Sequence, residues 1–243
     1  MTGIYKLAEQ VIEICSVYEY VHEMCKTYNV DSIDGNPLLR ISVSEKDIES
    51  ERKRAIQEDL FENLPEKEYK DEYLESLAIY RKLAEIIPYY SCFLFHGSAI
   101  AVNGMGYLFT AKSGTGKSTH TRLWRELLGE KVVMVNDDKP LIYIKDKQAF
   151  VYGTPWDGKH HLSNNISAPL KAVCILERSE VNYIRTISKT EAIPMLLQQA
   201  YRPSDPLALK ATLNLIDLMQ VDYYHLGCNM EVSAARLAYE TIK

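Results

Sequence analysis

The chain has 243 residues, of which 47% are hydrophobic and 25% are charged, and its formal net charge is -5. This length and composition suit one large globular domain, or a small domain attached to a medium one. The acidic balance argues against nucleic acid or an anionic membrane as the main partner, because both favour basic surfaces.

The N-terminal sequence has neither a basic start nor an apolar signal core. No apolar run approaches the roughly 20 residues that a membrane-spanning helix needs. We therefore expect a cytoplasmic protein without membrane contact.

The first part of the chain, residues 1–72, is predicted to form a small α+β region. The segments QVIEICSV and LLRISVSE have the pattern of strands, and the stretch around Tyr20 to Tyr28 between them favours a helix. Residues 44–72 are dense in charge, which is typical of a solvated helix or a mobile connector.

The second part, residues 73–243, begins with a predicted helix that ends at Pro88. Five apolar residues at spacings of four and three define its buried face, and these are Tyr73, Leu77, Tyr80, Ala84 and Ile87. Two strand-like runs follow, CFLFHGSAIAV and GYLFTA, and the intervening NGMG contains an Asn-Gly hairpin signal. Next come a loop, a helix from Lys117 to Leu128 and the strand KVVMVND.

The remaining pattern alternates strands and helices. Strands are predicted in PLIYIKD, AFVYGTP, LKAVCILER and DYYHLGC, and helices over residues 190–201, 205–221 and from 233 onward. The mix predicts an α/β fold, and the paired strands around the loop indicate a mixed sheet rather than a parallel one.

The loop between GYLFTA and the helix is a candidate phosphate site. It approaches the pattern G-x-x-x-x-G-K-[ST], with Ala111 in place of the first glycine. Backbone N–H groups at a helix start bind anions, Lys117 can reach the terminal phosphates, and the Ser118 hydroxyl can bind Mg²⁺. The predicted nucleotide-binding residues are Ser113, Gly114, Thr115, Gly116, Lys117, Ser118 and Thr119. A helix cap is the alternative, because a bare G-K-[ST] occurs by chance in roughly one such chain in ten.

An acidic pair, Asp137 and Asp138, ends the strand that follows this helix. Phosphoryl transfer needs one carboxylate to hold Mg²⁺, and a kinase also needs one to accept the proton of the attacking hydroxyl. The alternative is a polar turn with no chemical role. His96, which we expect at the end of a strand, could contact the pair and orient an aspartate.

The segments FHGSAIAV, FTAKSGTGKST, VNDDK and YGTPWDGK together resemble the HPr serine kinase/phosphorylase family. That family shares part of its fold with phosphoenolpyruvate carboxykinase, so the resemblance implies a mixed-sheet P-loop kinase core. It implies phosphate binding by Lys117, metal binding by Ser118 and Asp138, proton acceptance by Asp137 and a contact from His96 to the aspartates. The family's phosphorylase loop is not recognisable in this sequence, and the N-terminal part does not match its usual regulatory domain, so a reverse phosphorylase activity stays open.

A third cluster, GTPWDGKHHLSNN, forms a predicted loop that could wall an acceptor pocket. Lys159 could stabilise charge on the transferred group. Trp156 as a surface anchor, with His160 and His161 facing solvent, is the equally weighted alternative. Arg202 is a further candidate for a phosphate contact.

The leading hypothesis is an ATP-dependent kinase that uses Mg²⁺ to phosphorylate a hydroxyl, with serine as the expected residue type, on a protein, a peptide or a small molecule. The rivals are a nucleotide-gated binding protein, a plain ATPase and a decarboxylating carboxykinase. The sequence leaves open the acceptor, the choice between ATP and another triphosphate, the division of roles between Asp137 and Asp138, and the oligomeric state, a homo-oligomer included.

Overall fold

The computed structural model describes residues 1–30, 37–61, 65 and 67–243. Within them the chain forms two compact units, Met1–Ile86 and Ile87–Lys243. The predicted division at residues 72/73 falls inside a helix that belongs to the first unit. Whether this division is a boundary between independently folding domains stays a prediction.

The first unit is a three-stranded sheet with helices. Its elements are β1 (Thr2–Leu7), β2 (Gln10–Cys15), α1 (Tyr20–Met24), β3 (Leu39–Ser42), α2 (Glu45–Phe61) and α3 (Asp71–Ile86). β1 and β2 are antiparallel, and β3 lies parallel to β2. The charge-dense segment over residues 44–72 contributes α2 and the start of α3, and its residues 62–64 and 66 lie outside the described residues.

The buried face of α3 differs from the predicted one. Tyr73 is 41% exposed, whereas Leu74 and Glu75 are fully buried. The Glu75 carboxylate accepts hydrogen bonds from the backbone N–H groups of Val17 and Tyr18. A charged side chain that is satisfied in this way can occupy the interior. Three of the five predicted positions, 80, 84 and 87, are buried, so apolar spacing placed the face correctly only in part.

The second unit contains a nine-stranded sheet. Its strands are β4 (Cys92–Leu94), β5 (Ser98–Val102), β6 (Met105–Thr110), β7 (Val132–Asn136), β8 (Leu141–Lys145), β9 (Gln148–Tyr152), β10 (Ser167–Arg178), β11 (Tyr183–Thr186) and β12 (Asp222–Cys228). Its helices are α4 (Lys117–Leu128), α5 (Lys189–Gln199), α6 (Pro206–Leu218) and α7 (Val232–Ile242).

The sheet is mixed, as predicted. β10 runs parallel to β6 and to β12, while its first residues pair antiparallel with β9. The other pairs, β4 with β8, β8 with β9, β5 with β6 and β7, and β11 with β12, are antiparallel. The parallel pair of β6 and β10 brings the carboxyl ends of both strands to one edge, where the glycine-rich loop follows β6.

Both faces of this sheet are covered. Along β6, Tyr107 and Phe109 belong to a core cluster with residues of α4 and α7, whereas Leu108 belongs to a second cluster with residues of α5 and α6. Side chains of successive strand residues point to opposite faces, so a strand buried on both sides carries a continuous apolar run. The α4 helix that follows the loop therefore packs firmly on the sheet.

The run from residue 92 to residue 102 forms two strands instead of the predicted one. β4 pairs with β8, whereas β5 pairs with β6 and β7, so the chain changes neighbours between them. His96 lies in this crossing and does not end a strand. Its N–H group donates to the carbonyl of Gln199, and that of Gly97 donates to the carbonyl of Asp138. Because all of β4 and β5 is buried, the apolar pattern carries no signal for the break.

The predicted hairpin is confirmed. β5 and β6 are joined by Asn103 and Gly104, whose φ angles are 51° and 79°. Positive φ at both central residues is the turn geometry that Asn-Gly favours. In the described part of the chain, no helix is both long and apolar enough to cross a bilayer.

Candidate functional site

The glycine-rich loop, residues 111–116, joins β6 to α4 and contains two glycines in backbone conformations that other residues rarely adopt. The φ angle is +74° at Gly114 and +124° at Gly116, and no atom lies within 4 Å of the position of an added Cβ at Gly114. The glycines are therefore required by the backbone and not by lack of space. Ala111, where the common pattern has glycine, is fully buried in the core.

Arg178, the last residue of β10, holds this loop from one side. Its guanidinium donates hydrogen bonds to the carbonyls of Gly114 and Thr115. In a trans peptide the carbonyl and the following N–H group point in opposite directions. The bond to Thr115 therefore directs the N–H group of Gly116 away from Arg178, which leaves it available to a ligand on the other side.

Lys117 begins α4 and lies against the loop. Its Nζ donates a hydrogen bond of 3.2 Å to the carbonyl of Ala111, and its side chain is largely buried. Burial lowers the pKa of Lys117, and the negative charges of Asp138 and Asp137 oppose that shift. The ammonium group is thus partly desolvated and close to both carboxylates, as a group that binds phosphate oxygens would be.

The acidic pair lies in a turn that Asn136, at the end of β7, organises. The Oδ1 atom of this buried amide accepts hydrogen bonds from the N–H groups of Asp138 and Lys139, at 2.9 and 2.6 Å. Its Nδ2 donates to the carbonyls of Thr154 and Trp156. One side chain therefore fixes the acidic turn and ties it to the loop after β9.

Two basic side chains contact the Asp138 carboxylate. His96 Nε2 lies 3.2 Å from Asp138 Oδ1, and Lys139 Nζ contacts Oδ2. Burial raises the pKa of Asp138, but the hydrogen bond from His96 and the charge and hydrogen bond of Lys139 outweigh burial, so the net pKa lies far below the ordinary value. Asp138 therefore stays ionised at neutral pH. The expected contact from His96 to the pair is present, and its catalytic role stays a prediction.

Asp137 is connected to α4 through Ser98, at the start of β5. The Ser98 hydroxyl donates to Asp137 Oδ1 at 2.7 Å and lies 2.9 Å from Thr121 Oγ1. All three side chains are buried. This chain of hydrogen bonds holds Asp137 at a fixed distance from the first turn of α4.

The loop after β9 closes on Asp137. A Cβ added to Gly158 would lie 3.0 Å from Asp137 Oδ2, so the backbone approaches the carboxylate closely there. Trp156 is only 4% exposed and is an interior residue, not a surface anchor. Lys159 and His160 are exposed at the tip of the loop.

These elements enclose a cavity of about 580 Å³. Its wall is formed by His96, Gly114, Gly116, Lys117, Ser118, Thr119, Arg122, Arg125, Asp137, Asp138, Gly158, Lys159, His160 and Leu162. Thus the structure brings together most of the predicted site residues. Ser113 does not line this cavity, and Thr115 lines a neighbouring one. Arg202 is exposed and lies outside both.

The neighbouring cavity, of about 520 Å³, lies on another side of the glycine-rich loop. Gly114, Gly116 and Thr119 line both cavities. The second one also contains residues from the ends of β10 and β12, among them Arg178 and Met230. A ligand bound at the loop can therefore extend into either space.

The donors at the site fit a small hard cation. The Ser118 hydroxyl and the Asp138 carboxylate line the same cavity, and both are oxygen donors of the kind that Mg²⁺ prefers. Within the described ranges no three His, Cys, Asp or Glu side chains form a metal-binding cluster. Mg²⁺ in a phosphate site takes few ligands from protein and the rest from phosphates and water, so two donors suffice. His161, in the loop after β9, instead contacts Asp157, with 3.0 Å between its Nδ1 and the carboxylate Oδ1.

Sequence reasoning missed several residues of the site. They are Ser98, Arg122, Arg125, Asn136, Lys139 and Arg178. The spacing of 118, 122 and 125 by four and three residues places Arg122 and Arg125 on the helix face of Ser118, and this signal was available. The contacts of Ser98 and Arg178 arise from neighbouring strands and carry no signal in the sequence.

The comparisons with known proteins identify the family. Residues 64–210, more than half of the chain, match the family described as SynChlorMet cassette protein ScmC. The chain belongs to the ScmC family. The part that matches the ScmC family contains the glycine-rich loop, the acidic turn and the loop after β9, so every wall of the first cavity lies within it.

No curated protein matches the chain. Among solved structures the chain is similar to the HPr(Ser) kinase/phosphatase from Coxiella burnetii, at 13% identity and a TM-score of 0.37, over 61% of this chain and 95% of that one. At this TM-score the likeness supports no conclusion about fold or chemistry. The resemblance to HPr kinases therefore rests on the sequence motifs.

Proposed function

We propose that this protein is an ATP-dependent kinase with a P-loop core of the HPr kinase type, which transfers the γ-phosphoryl group to a hydroxyl. The observation that supports this most is the composition of one cavity wall. The glycine-rich loop, Lys117, Ser118 and both aspartates line the same space. Phosphate-binding groups and acceptor-side carboxylates are the two sets of groups that phosphoryl transfer requires together.

The two cavities suggest how the nucleotide lies. The triphosphate would follow the loop, with its terminal phosphate toward Asp137 and Asp138 and its nucleoside in the neighbouring cavity. Thr119, which lines both cavities, would lie near the α-phosphate. Lys117 would bind the terminal phosphates and neutralise the charge that develops on them.

Asp137 and Asp138 would divide two tasks. Asp138 stays ionised because His96 and Lys139 lower its pKa, which suits a metal ligand acting together with Ser118. Bound Mg²⁺ would supply charge neutralisation between the phosphates. Asp137, oriented by Ser98, would accept the acceptor's hydroxyl proton. As the hydroxyl oxygen bonds to the γ-phosphorus, the bond from that phosphorus to the oxygen of ADP breaks, and ADP leaves with the electron pair.

Calorimetry and product analysis test this proposal in sequence. We expect ATP to bind in the presence of Mg²⁺, and Lys117→Met to weaken this binding by at least about tenfold, the equivalent of a lost charge-assisted contact. Lys131→Met, in the short turn after α4, is the matched control. Titration of GTP measures the choice of nucleotide. Absence of ATP binding would refute the proposal, and release of free phosphate as the sole product would indicate an ATPase.

A further inference from the structure

The face of α4 that carries Ser118 also carries two arginines. Ser118, Arg122 and Arg125 are spaced by four and three residues and all line the first cavity. At a rise of about 1.5 Å per residue, Arg122 and Arg125 lie about 6 and 10 Å further along the axis than Ser118. Arg122 and Arg125 therefore lie about one to two turns after the helix N-terminus, at which the loop and Lys117 would bind phosphates.

Ion pairs and hydrogen bonds within the protein engage these two arginines only weakly. Arg122 pairs with Glu126 at 3.2 Å, but both side chains are more than half exposed, at 54% and 53%. Such surface pairs contribute little to stability. The Nε atom of Arg125 is buried, and no hydrogen-bond partner for it exists among the described residues. A buried donor without a partner is uncommon, and an anion bound in the cavity would satisfy it.

Among the described residues, neither carboxylate of the cavity forms an ion pair with these two arginines. Asp138 contacts His96 and Lys139, and Asp137 accepts a hydrogen bond from Ser98. The exposed Lys159 lines the same cavity and adds a further positive charge. This end of the cavity is therefore cationic, with unused donors.

We propose that the acceptor carries an anionic group, a carboxylate or a phosphate, near its reactive hydroxyl, and that Arg122 and Arg125 bind this group. The inference rests on the proposed kinase function and specifies its acceptor class. Arginine matches the planar geometry of carboxylate and the oxygens of phosphate with paired N–H donors. Binding at Arg122 and Arg125 would leave the hydroxyl free to approach Asp137.

The test uses three probes on the full-length protein saturated with Mg²⁺ and a non-hydrolysable ATP analogue. Glycerate offers a hydroxyl with a carboxylate, glycerol 3-phosphate a hydroxyl with a phosphate, and glycerol a hydroxyl alone. Arginine Nε–H signals in ¹H–¹⁵N NMR spectra report binding. We expect at least one of the anions to shift the signals of Arg122 and Arg125 and to bind at least about tenfold more tightly than glycerol. The anion that binds more tightly, glycerate or glycerol 3-phosphate, identifies the anionic group of the acceptor.

The double variant Arg122→Gln/Arg125→Gln is expected to lose the preference for the anion, while Arg236→Gln, an exposed arginine on α7, retains it. Calorimetry with the ATP analogue separates the possible failures. If the wild type does not bind the analogue, the kinase proposal falls and this inference with it. If the analogue binds but glycerol and the anions bind alike, only this inference is refuted. It is also refuted if the double variant loses affinity for the analogue, because the arginines would then serve the triphosphate.

Discussion

The Ser98 hydroxyl donates a 2.7 Å hydrogen bond to Oδ1 of Asp137. Ser98 belongs to β5 and Asp137 follows β7, two neighbouring strands of the sheet. The same hydroxyl lies 2.9 Å from Thr121 in α4. The relative position of the acidic turn and α4 thus depends on a buried serine that the sequence does not distinguish from any other.

Replacing Ser98 by alanine is expected to lower kcat for phosphoryl transfer while leaving the KM for ATP within about twofold. A hydrogen bond to a charged group contributes about 1.5–3 kcal/mol, which corresponds to about tenfold or more in rate if it orients Asp137. Steady-state kinetics of Ser98→Ala measure the effect. Ser50→Ala, at an exposed helix position, is the control. An unchanged kcat would show that Ser98 does not position Asp137.

Gly114→Ala and Gly104→Ala form a matched pair. Both glycines have positive φ, at +74° and +79°, and neither has an atom within 4 Å of an added Cβ. Each substitution should cost about 1–2 kcal/mol of folding stability, because alanine is strained in this conformation. Only Gly114→Ala should weaken ATP binding in calorimetry. Equal effects of both variants on ATP binding would contradict a specific role for the loop.

His120 predicts a pH dependence of stability. Its Nε2 accepts a hydrogen bond of 3.0 Å from the indole N–H of Trp124, and burial lowers its pKa from 6.5 to about 4. Between these values the unfolded chain binds a proton that the folded protein excludes, so stability falls as the pH falls. At about 1.36 kcal/mol per pKa unit, the loss amounts to about 3 kcal/mol.

Urea unfolding of the wild type and of His120→Gln between pH 7 and pH 4.5 tests this. The contributions of all other titratable groups to the pH dependence are the same in both proteins and cancel in the comparison. We expect the wild type to lose stability more steeply than the variant as the pH falls. Parallel curves would show that His120 does not titrate with a lowered pKa.

His96→Ala should reduce kcat less than either Asp137→Asn or Asp138→Asn does. Without His96, Asp138 still contacts Lys139 and keeps a low pKa, so the carboxylate remains ionised. The asparagine variants instead remove the metal ligand or the proton acceptor itself. Measurement of kcat for the three variants at saturating ATP and Mg²⁺ tests this ranking. A His96 variant as slow as the asparagine variants would assign the histidine a direct role in the chemistry.

The sequence predicts elements well where a local signal exists and poorly where partners are remote. The β5–β6 turn has Asn103 and Gly104 and was predicted. The β1–β2 turn places Ala8 and Glu9 at φ angles of 45° and 69°, without the residues that favour this geometry, and β1 was missed. The short edge strand β11, which has no fully buried residue, also lacks an alternating pattern.

The candidate site follows the same rule. Most of residues 114–119 and both aspartates line the first cavity, because a phosphate-binding pattern fixes residue types at a short spacing, whereas Ser113 does not line it. The binding roles of these residues stay a prediction. The arginines of α4 were not predicted, although their spacing from Ser118 places them on the same helix face. Arg178 reaches the glycine-rich loop from a strand more than 60 residues away in the chain.

The most direct measurement is the fate of the γ-phosphate. The purified protein is incubated with γ-labelled ATP, Mg²⁺ and an extract of its source organism, alongside the Asp137→Asn variant. We expect the label to appear on a hydroxyl of an acceptor with the wild type and to be lost with the variant. Label that remains in ATP, that appears only in free phosphate, or that reaches the acceptor equally with Asp137→Asn would contradict the account.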